Sequence, residues 1–247
     1  LIADNCDSLG SKWNGNYLTD NAVSASCSFY PAHHLCTMEG GMVSSNEKGI
    51  IDLARSFAWW GRGCYCVGQQ NLLPNGVCGK RFDTWLESYD DIVDHKYVFS
   101  VMGYNLKPLD LQGAVGLVQL RKFEEIHKIR RSNKEKIQKI IEKIPGTRVV
   151  NERVESETSW FGVPIICDNK ELKRSLVAYL ESNKIQTRNY FAGNVLLHPG
   201  YSHLGDATKY PKANQVLNKV FFLGCSPTIN QNMIDYIENV VDSFINA

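Results

Sequence analysis

A short β-compatible run, Ser28-Phe29-Tyr30, meets Pro31 and passes through Ala32-His33-His34 to Glu39 and the pair Gly40-Gly41. Proline has no N–H to give to a sheet, so strand pairing must stop there, and the glycine pair permits a tight return of the chain. The pattern predicts a strand that delivers polar groups into a cleft. Two neighbouring imidazoles in a turn also have a plainer reading, as surface or packing residues.

The 247 residues are 43% hydrophobic, enough for a substantial core in one large domain or two. Twenty-seven basic and twenty-six acidic residues leave a formal charge of +1, which gives no case for nucleic acid or an anionic membrane as a partner. No apolar run reaches the roughly 20 residues that span a bilayer, and the N-terminus lacks the layout of a signal peptide. The expectation is a cytoplasmic protein, whose eight cysteines would be reduced thiols, so that a cluster among them suggests a metal or redox centre before disulfides. The chain opens on Leu1-Ile2-Ala3-Asp4 with no initiator methionine, and the protein is expected to start earlier.

Leu1 to Asp4 reads as a strand end and Asn5 to Gly10 as the polar turn after it, where α/β folds hold their ligands. Residues 22 to 30 and Gly41 to Ser45 predict two further strands, and Glu47 to Trp60 has the helical spacing of Ile50, Ile51, Leu53, Ala54, Phe57 and Ala58, one face of which should pack on a sheet. Residues 61 to 79 form a long Gly- and Cys-containing loop, the kind that is usually functional. Leu111 to Leu120 is a helix in which Gly113, Ala114 and Gly116 permit close packing. Arg121 to Ile144 is an amphipathic helix whose basic run is expected to be a solvated face. Pro145-Gly146 ends it. Beyond lie strands at Val149-Val150, Trp160 to Ile166 and Val220 to Leu223, helices at Lys170 to Asn183, Ala207 to Asn218 and Asn230 to Ile245, and a polar loop over Thr187 to Asn194. This is a small α+β domain.

Asp4 and His33 both stand at the ends of apparent strands and are placed to face one pocket. A heteroaromatic cofactor such as a pyridoxal derivative needs an acidic residue to keep its ring nitrogen protonated and an acid/base at its reactive carbon. The segments Asp4 to Gly10, Ser28 to His34 with Glu39-Gly40-Gly41, and Gly103-Tyr104-Asn105 resemble the nucleotide-sugar aminotransferase and dehydratase family. That resemblance implies an α/β chain of fold type I, aspartate-aminotransferase-like: residues 1–120 as the C-terminal part of a large cofactor-binding domain, and 121–247 as a linking helix and small C-terminal domain. It also sets His33 where the aminotransferases carry the lysine of a Ser-Phe-x-x-x-Lys pattern. Imidazole cannot make that lysine's covalent link to pyridoxal phosphate but still moves protons near neutral pH. The implied cofactor is therefore pyridoxamine 5′-phosphate held non-covalently, with His33 as the catalytic base of a 3-dehydratase. By the same resemblance Asp4 serves the pyridine nitrogen, Asp7 the ring's hydroxyl side, Ser28 the phosphate, and Asn105 the phosphate of a neighbouring subunit in a homodimer. Tyr30 is placed beside the cofactor and His34 toward the substrate, packing remaining open for both.

Cys6, Cys64, Cys66 and Cys78 form Cys-x57-Cys-x-Cys-x11-Cys, the number of thiolates that a [2Fe-2S] cluster takes. Zinc, or a scatter of buried thiols, are the other readings. With Trp59-Trp60-Gly61-Arg62-Gly63 before and Gly79-Lys80-Arg81-Phe82 after, the arrangement resembles the iron-sulfur 3-dehydrases of CDP-linked 4-keto-6-deoxyhexoses, although the interval before the last cysteine is longer. Cys27, Cys36, Cys167 and Cys225 read as core residues. The resemblance implies a nucleotide-diphosphate sugar as substrate, an NADH-dependent iron-sulfur flavin reductase as electron donor, and a place in 3,6-dideoxyhexose synthesis for a surface polysaccharide. Arg188 offers a planar fork for the diphosphate or a sugar hydroxyl, or a surface ion pair. The alternatives are a cluster-free dehydratase or aminotransferase of the same family, and an inactive truncated paralogue. The family's phosphate cup and stacking aromatic are expected upstream of Leu1.

Overall fold

The computed structural model describes residues 1–64 and 79–246, so Cys66 and Cys78 lie outside the described residues. The chain divides into two compact units, Leu1–Cys6 with Leu18–Leu120, and Asp7–Tyr17 with Arg121–Ala247. Its strands in chain order are β1 (Ile2–Asp4), β2 (Lys12–Trp13), β3 (Asn16–Tyr17), β4 (Ser24–Ser28), β5 (Gly41–Ser44), β6 (Thr147–Val149), β7 (Ser156–Glu157), β8 (Gly162–Cys167), β9 (Thr187–Asn189) and β10 (Val220–Gly224). The α-helices are α1 (Lys48–Ala58), α2 (Asp110–Arg121), α3 (Phe123–Ile141), α4 (Lys170–Ser182), α5 (Pro211–Lys219) and α6 (Gln231–Ile245).

In the first unit β1 pairs in parallel with β4, which pairs antiparallel with β5. Alternation along β4 buries Ala25 and Cys27 and turns Ser24, Ser26 and Ser28 to the other face. Gly41 sits opposite Ser28, and a Cβ there would stand 2.8 Å from the Cys27 carbonyl oxygen, so no larger residue fits without displacing backbone. Two packing expectations are met only in part: helix α1 lies against β5 and half-buries Ile50, Ile51, Ala54 and Ala58. Helix α1 buries Ser56, whose hydroxyl donates to the Arg62 carbonyl at 2.6 Å, and leaves Leu53 and Phe57 exposed. Helix α2 has no buried residue: Gly116 comes close to the Thr37 methyl, while Gly113 has nothing near it.

The second unit is built on a four-stranded antiparallel sheet in the order β6-β8-β10-β9. Val163 and Ile165 from β8 and Phe221 and Leu223 from β10 point to one face, where Ile137 and Ile141 of α3, Leu176 and Leu180 of α4 and Val241 of α6 close the core. Asn169 and Asn230 cap α4 and α6 by accepting from the Leu172 and Met233 amides. A second, small sheet, β3-β2-β7, grows from the hairpin Trp13-Asn14-Gly15-Asn16, whose Asn14 and Gly15 both take positive φ as a two-residue hairpin turn requires.

Three expectations in this unit are corrected. The polar stretch from Thr187 is not all loop, because Thr187–Asn189 forms the edge strand β9 on β10. Helix α5 starts only at Pro211, with a separate 3-10 turn over Ala207–Lys209, since proline is favoured in a helix's first turn and breaks one already running. The basic run of α3 is a solvated face only in part: Lys128, Lys136 and Lys139 are exposed as expected, but Arg130 and Lys134 are buried with Asn133, and loop carbonyls facing the helix take donors from Arg130 and Asn133. Arg130 donates to the carbonyls of Phe161 at 3.2 Å and Trp160 at 3.4 Å, and Asn133 to those of Ser226 at 2.9 Å and Ile229 at 3.1 Å. Among the described residues no helix is long and apolar enough to cross a membrane.

Candidate active site

Parallel pairing of β1 with β4 sets Asp4 beside Ser26, so both strands release their chains at the same end of the sheet. After β4, the Tyr30 amide donates to Ser28 Oγ at 3.2 Å and the His33 amide to the Tyr30 carbonyl at 2.9 Å, which bends the chain around Pro31. The return to β5 is fixed by the Phe29 amide on the Gly40 carbonyl and by Thr37 and Gln112 side chains that both donate to the Glu39 carbonyl, at 2.7 and 2.8 Å.

This framework brings Asp4, Cys6, Ser26 and His33 together. Asp4 Oδ1 accepts from the Cys6 amide and from Ser26 Oγ, each at 3.2 Å, and the Cys6 carbonyl meets His33 Nδ1 at 2.9 Å. The edge of one ring faces the other where Tyr30 meets His33, with centroids 6.1 Å apart. The Cys6 thiol and amide, against an opposing effect of burial and helped by the Ser26 hydroxyl and the nearby His33, hold the Asp4 carboxyl below its usual range. Asp4 is therefore an exposed, ionised carboxylate with donors on one oxygen, which suits it to accept a proton-bearing ring nitrogen. Ser26 was missed in the sequence, although the Ser24-x-Ser26-x-Ser28 alternation carries the signal.

The remaining candidates are placed as follows. Tyr30 is exposed, whereas His34 is 3% exposed, which favours packing over substrate contact for that ring. Asn105 is exposed and bridges to Trp59, held between the Trp60 amide on the Tyr104 carbonyl and the Leu106 amide on the Ala58 carbonyl. Asp7 falls in the second unit, where it lines a cavity of about 140 Å³ with Ser159, Trp160, Phe161, Tyr190 and Phe222. Arg188 stands on β9 opposite Phe222; it donates to the Thr187 carbonyl at 2.9 Å and, with the Gln186 amide oxygen turned to it, to that oxygen at 2.6 and 3.0 Å.

Of the four cysteines expected on a metal, Cys6 and Cys64 are described and partly buried. Cys6 Sγ lies 3.8 Å from Ser26 Oγ. Among the described residues no three His, Cys, Asp or Glu side chains gather as a metal site requires. The other two of the four thiols that a [2Fe-2S] cluster takes, Cys66 and Cys78, lie outside the described residues. Burial lifts the thiols of Cys27, Cys167 and Cys225 to about 11, as inert core residues should be.

Sequence and structure comparisons bear on this geometry. The chain is 35% identical over 250 residues to a dTDP-4-dehydro-2,6-dideoxy-D-glucose 3-dehydratase of Saccharopolyspora spinosa, covering 99% of this chain and 53% of that protein. It is 35% identical over 253 residues to the lipopolysaccharide biosynthesis protein RfbH of Salmonella typhimurium, covering 99% and 56%. The chain thus spans about half the length of these relatives. Among solved structures, the Escherichia coli GDP-4-keto-6-deoxy-D-mannose-3-dehydratase with bound hydrated PLP superposes with a TM-score of 0.77 at 26% identity, over 98% of this chain and 60% of that one. This likeness agrees with the expected α/β, aspartate-aminotransferase-like class. Residues 1–242 match the profile of the DegT/DnrJ/EryC1/StrS aminotransferase family, and the chain belongs to that family.

Proposed function

We propose that this chain forms part of a pyridoxamine-phosphate-dependent nucleotide-sugar 3-dehydratase, and that the imidazole of His33 in the place of a lysine is the observation that carries this reading. A ring bonded through Nδ1 to the Cys6 carbonyl at 2.9 Å is fixed well enough to move a proton, and it cannot anchor an aldehyde cofactor as an aminotransferase lysine does. Relatives named as 3-dehydratases support it. Pyridoxamine phosphate, when bound, would supply the amine that condenses with a 4-keto sugar and the ring that takes up electron density. Asp4, already ionised, would hold the proton on the ring nitrogen; Ser28 would donate its hydroxyl to the phosphate; Tyr30 would border the ring and Asp7 its hydroxyl side. His33 would take the proton from the C4′ carbon as the C-3 hydroxyl departs. Asn105 would reach the phosphate of a neighbouring subunit, and the exposed Leu111, Leu117 and Leu120 of α2 suit a second subunit covering them. Arg188 would contact the sugar or its diphosphate.

The finer form of the proposal is C-3 deoxygenation of a CDP-linked 4-keto-6-deoxyhexose in dideoxysugar synthesis. Loss of water alone needs no electrons, whereas deoxygenation needs two, for which a [2Fe-2S] cluster on Cys6, Cys64, Cys66 and Cys78 would take single electrons from an NADH-dependent reductase. The spacing of the cysteines is its ground. The test is solvent exchange of the C4′ hydrogen in the full-length protein: His33→Asn should abolish it, and retained exchange overturns the assignment of His33. Electron paramagnetic resonance of anaerobically reconstituted, reduced protein tests the cluster separately, and absence of an iron-sulfur signal would remove the electron relay and leave the dehydration intact.

A further inference from the structure

We infer that the aromatic cavity of the second unit seats the sugar ring of the substrate, and that Trp160, Phe191 and Phe222 make it prefer a 6-deoxyhexose, which carries a methyl group on C-5, over a hexose that keeps its C-6 hydroxyl. The inference rests on the proposed nucleotide-sugar reading, which already sets Asp7, on the same cavity wall, beside the cofactor. It goes further by naming the residues that select the sugar.

Alternation along β8 and β10 leaves Pro164 and Phe222 on the sheet face opposite the core, and the register sets Phe222 across from Pro164 on one side and from Arg188 on the other. Gly162 lets the Phe222 ring come down on β8, because a Cβ on residue 162 would stand 2.7 Å from that ring. Phe161 and Phe191 stack with centroids 6.4 Å apart, and both meet Phe222, at 5.8 and 6.0 Å. Phe191 is 57% exposed and has φ +50°, a strained conformation for so large a side chain. Its loop holds it there. The Phe191 amide donates to the Asn189 carbonyl at 2.8 Å, and the buried Asn194 side chain donates to the Ala207 carbonyl at 3.0 Å and to Asn214 Oδ1 at 2.8 Å. A ring fixed beside a cavity with most of its surface in water is prepared to bury that surface against a ligand.

Size, neighbours and polarity identify the occupant. The cavity, at about 140 Å³, is close to the ~150 Å³ that accommodates one benzene, so it matches a single six-membered ring. Arg188 stands on the same sheet face, directly across from Phe222, and suits the diphosphate. In a nucleotide sugar the hexose is bonded to that diphosphate directly, whereas a ribose separates the base from it. Aromatic walls take the C–H face of a sugar and gain by burying its methyl group, but a C-6 hydroxyl brought against them loses water without a partner in exchange.

Titration calorimetry of full-length, pyridoxamine-phosphate-loaded protein tests this with pairs of nucleotide sugars, 6-deoxyglucose against glucose, linked to CDP, dTDP or GDP. These sugars lack the 4-keto group and bind without reacting. The 6-deoxy member of a pair should bind about 10- to 100-fold more tightly to the wild type. Phe191→Ala should abolish most of that preference and Phe191→Tyr should keep it, while the bare nucleoside diphosphate should bind all three proteins alike. Equal affinities for the two sugars in the wild type, a preference unchanged in Phe191→Ala, or a matching loss of the bare nucleotide, as a base in the cavity would give, would each overturn the inference. Binding of no pair would refute the nucleotide-sugar reading and the inference with it. A methyl preference in a protein that shows no C4′ exchange would refute the dehydration and leave the sugar's seat standing.

Discussion

Lys134 holds its ammonium 4.4 Å from the centroid of the Trp160 ring, although the residue is only 4% exposed. The ring face and Gln138 Oε1, at 2.5 Å, replace part of the water the ammonium has lost. Burial still lowers the Lys134 pKa, against the attraction of Glu152, Glu142 and Glu135. A double-mutant cycle of Lys134→Met and Trp160→Leu should give a coupling of about 0.5–2 kcal/mol. Lys134→Met alone should be near neutral or stabilising by about 1 kcal/mol, because it removes a buried charge and keeps the volume. The folded protein sheds this proton before the unfolded chain does. Stability of the wild type should therefore rise as pH climbs from the lowered pKa toward the ordinary lysine value, and the advantage of Lys134→Met should shrink there. An advantage in urea midpoint that is constant over that window would contradict the argument.

Arg131 grips Glu152 with both nitrogens, at 2.6 and 2.9 Å, and donates to the Thr158 carbonyl at 2.8 Å, while the Thr158 amide donates to Glu152. Burial works to raise the Glu152 pKa, yet the guanidinium and the amide outweigh it and hold the carboxyl below its ordinary value. Its contribution is thus present above the unfolded carboxylate pKa and fades as pH falls through the folded one. Glu152→Gln should cost about 1–3 kcal/mol at neutral pH, and the gap to wild type should close in acid. A gap independent of pH would show that the pair's charge is not the source.

Gly61 and Gly103 pass so closely that a Cβ on Gly103 would stand 2.1 Å from the Gly61 nitrogen, and one on Gly61 would stand 1.7 Å from the Val101 carbonyl oxygen. Gly61 also has φ +82°, a conformation costly to other residues. Gly61→Ala should destabilise the first unit by more than about 2 kcal/mol and loosen the strand-like contact that carries Asn105. Hydrogen exchange of the Trp60 and Leu106 amides reads that contact, and wild-type protection in the variant would sink the prediction.

The frame of the site was legible in the sequence for a physical reason: strand alternation and Pro31 are local signals, so the strand reading of residues 22 to 30 needed no tertiary information, and the ends of β1 and β4 followed. What joins those ends was not legible. The Ser26 hydroxyl and the Cys6 carbonyl are ordinary groups that acquire a function only once β1 and β4 pair in parallel. Helix α3 misled in the opposite direction. Charge periodicity suggested solvent for Arg130 and Lys134, but the carbonyls of Trp160 and Phe161 take Arg130 as a buried donor and the Trp160 ring covers Lys134, partners distant in sequence. Strand β9 went unseen because an edge strand of polar residues has no alternation to read.

His127 is 8% exposed and engages both of its ring nitrogens, Nδ1 with Ser159 Oγ at 3.1 Å and Nε2 with Glu157 Oε1 at 3.2 Å. The Ser159 amide in turn donates to Ser11 Oγ at 2.9 Å, and Lys12 pairs with Glu157 in the small sheet. One imidazole thus secures the segment that pairs β2 with β7, and Gly10, whose Cβ would strike the Phe123 ring, lets that segment lie against α3. His127→Ala should cost about 2–4 kcal/mol, a cavity plus lost hydrogen bonds. Glu157→Gln should cost under about 1 kcal/mol, since that side chain is 46% exposed and its charge is screened. The loss should also be local. Hydrogen exchange in His127→Ala should accelerate at the amides joining residues 12–17 to 155–159 while the four-stranded sheet keeps its protection. Equal acceleration in β8 and β10 would show that His127 supports the core instead of the small sheet.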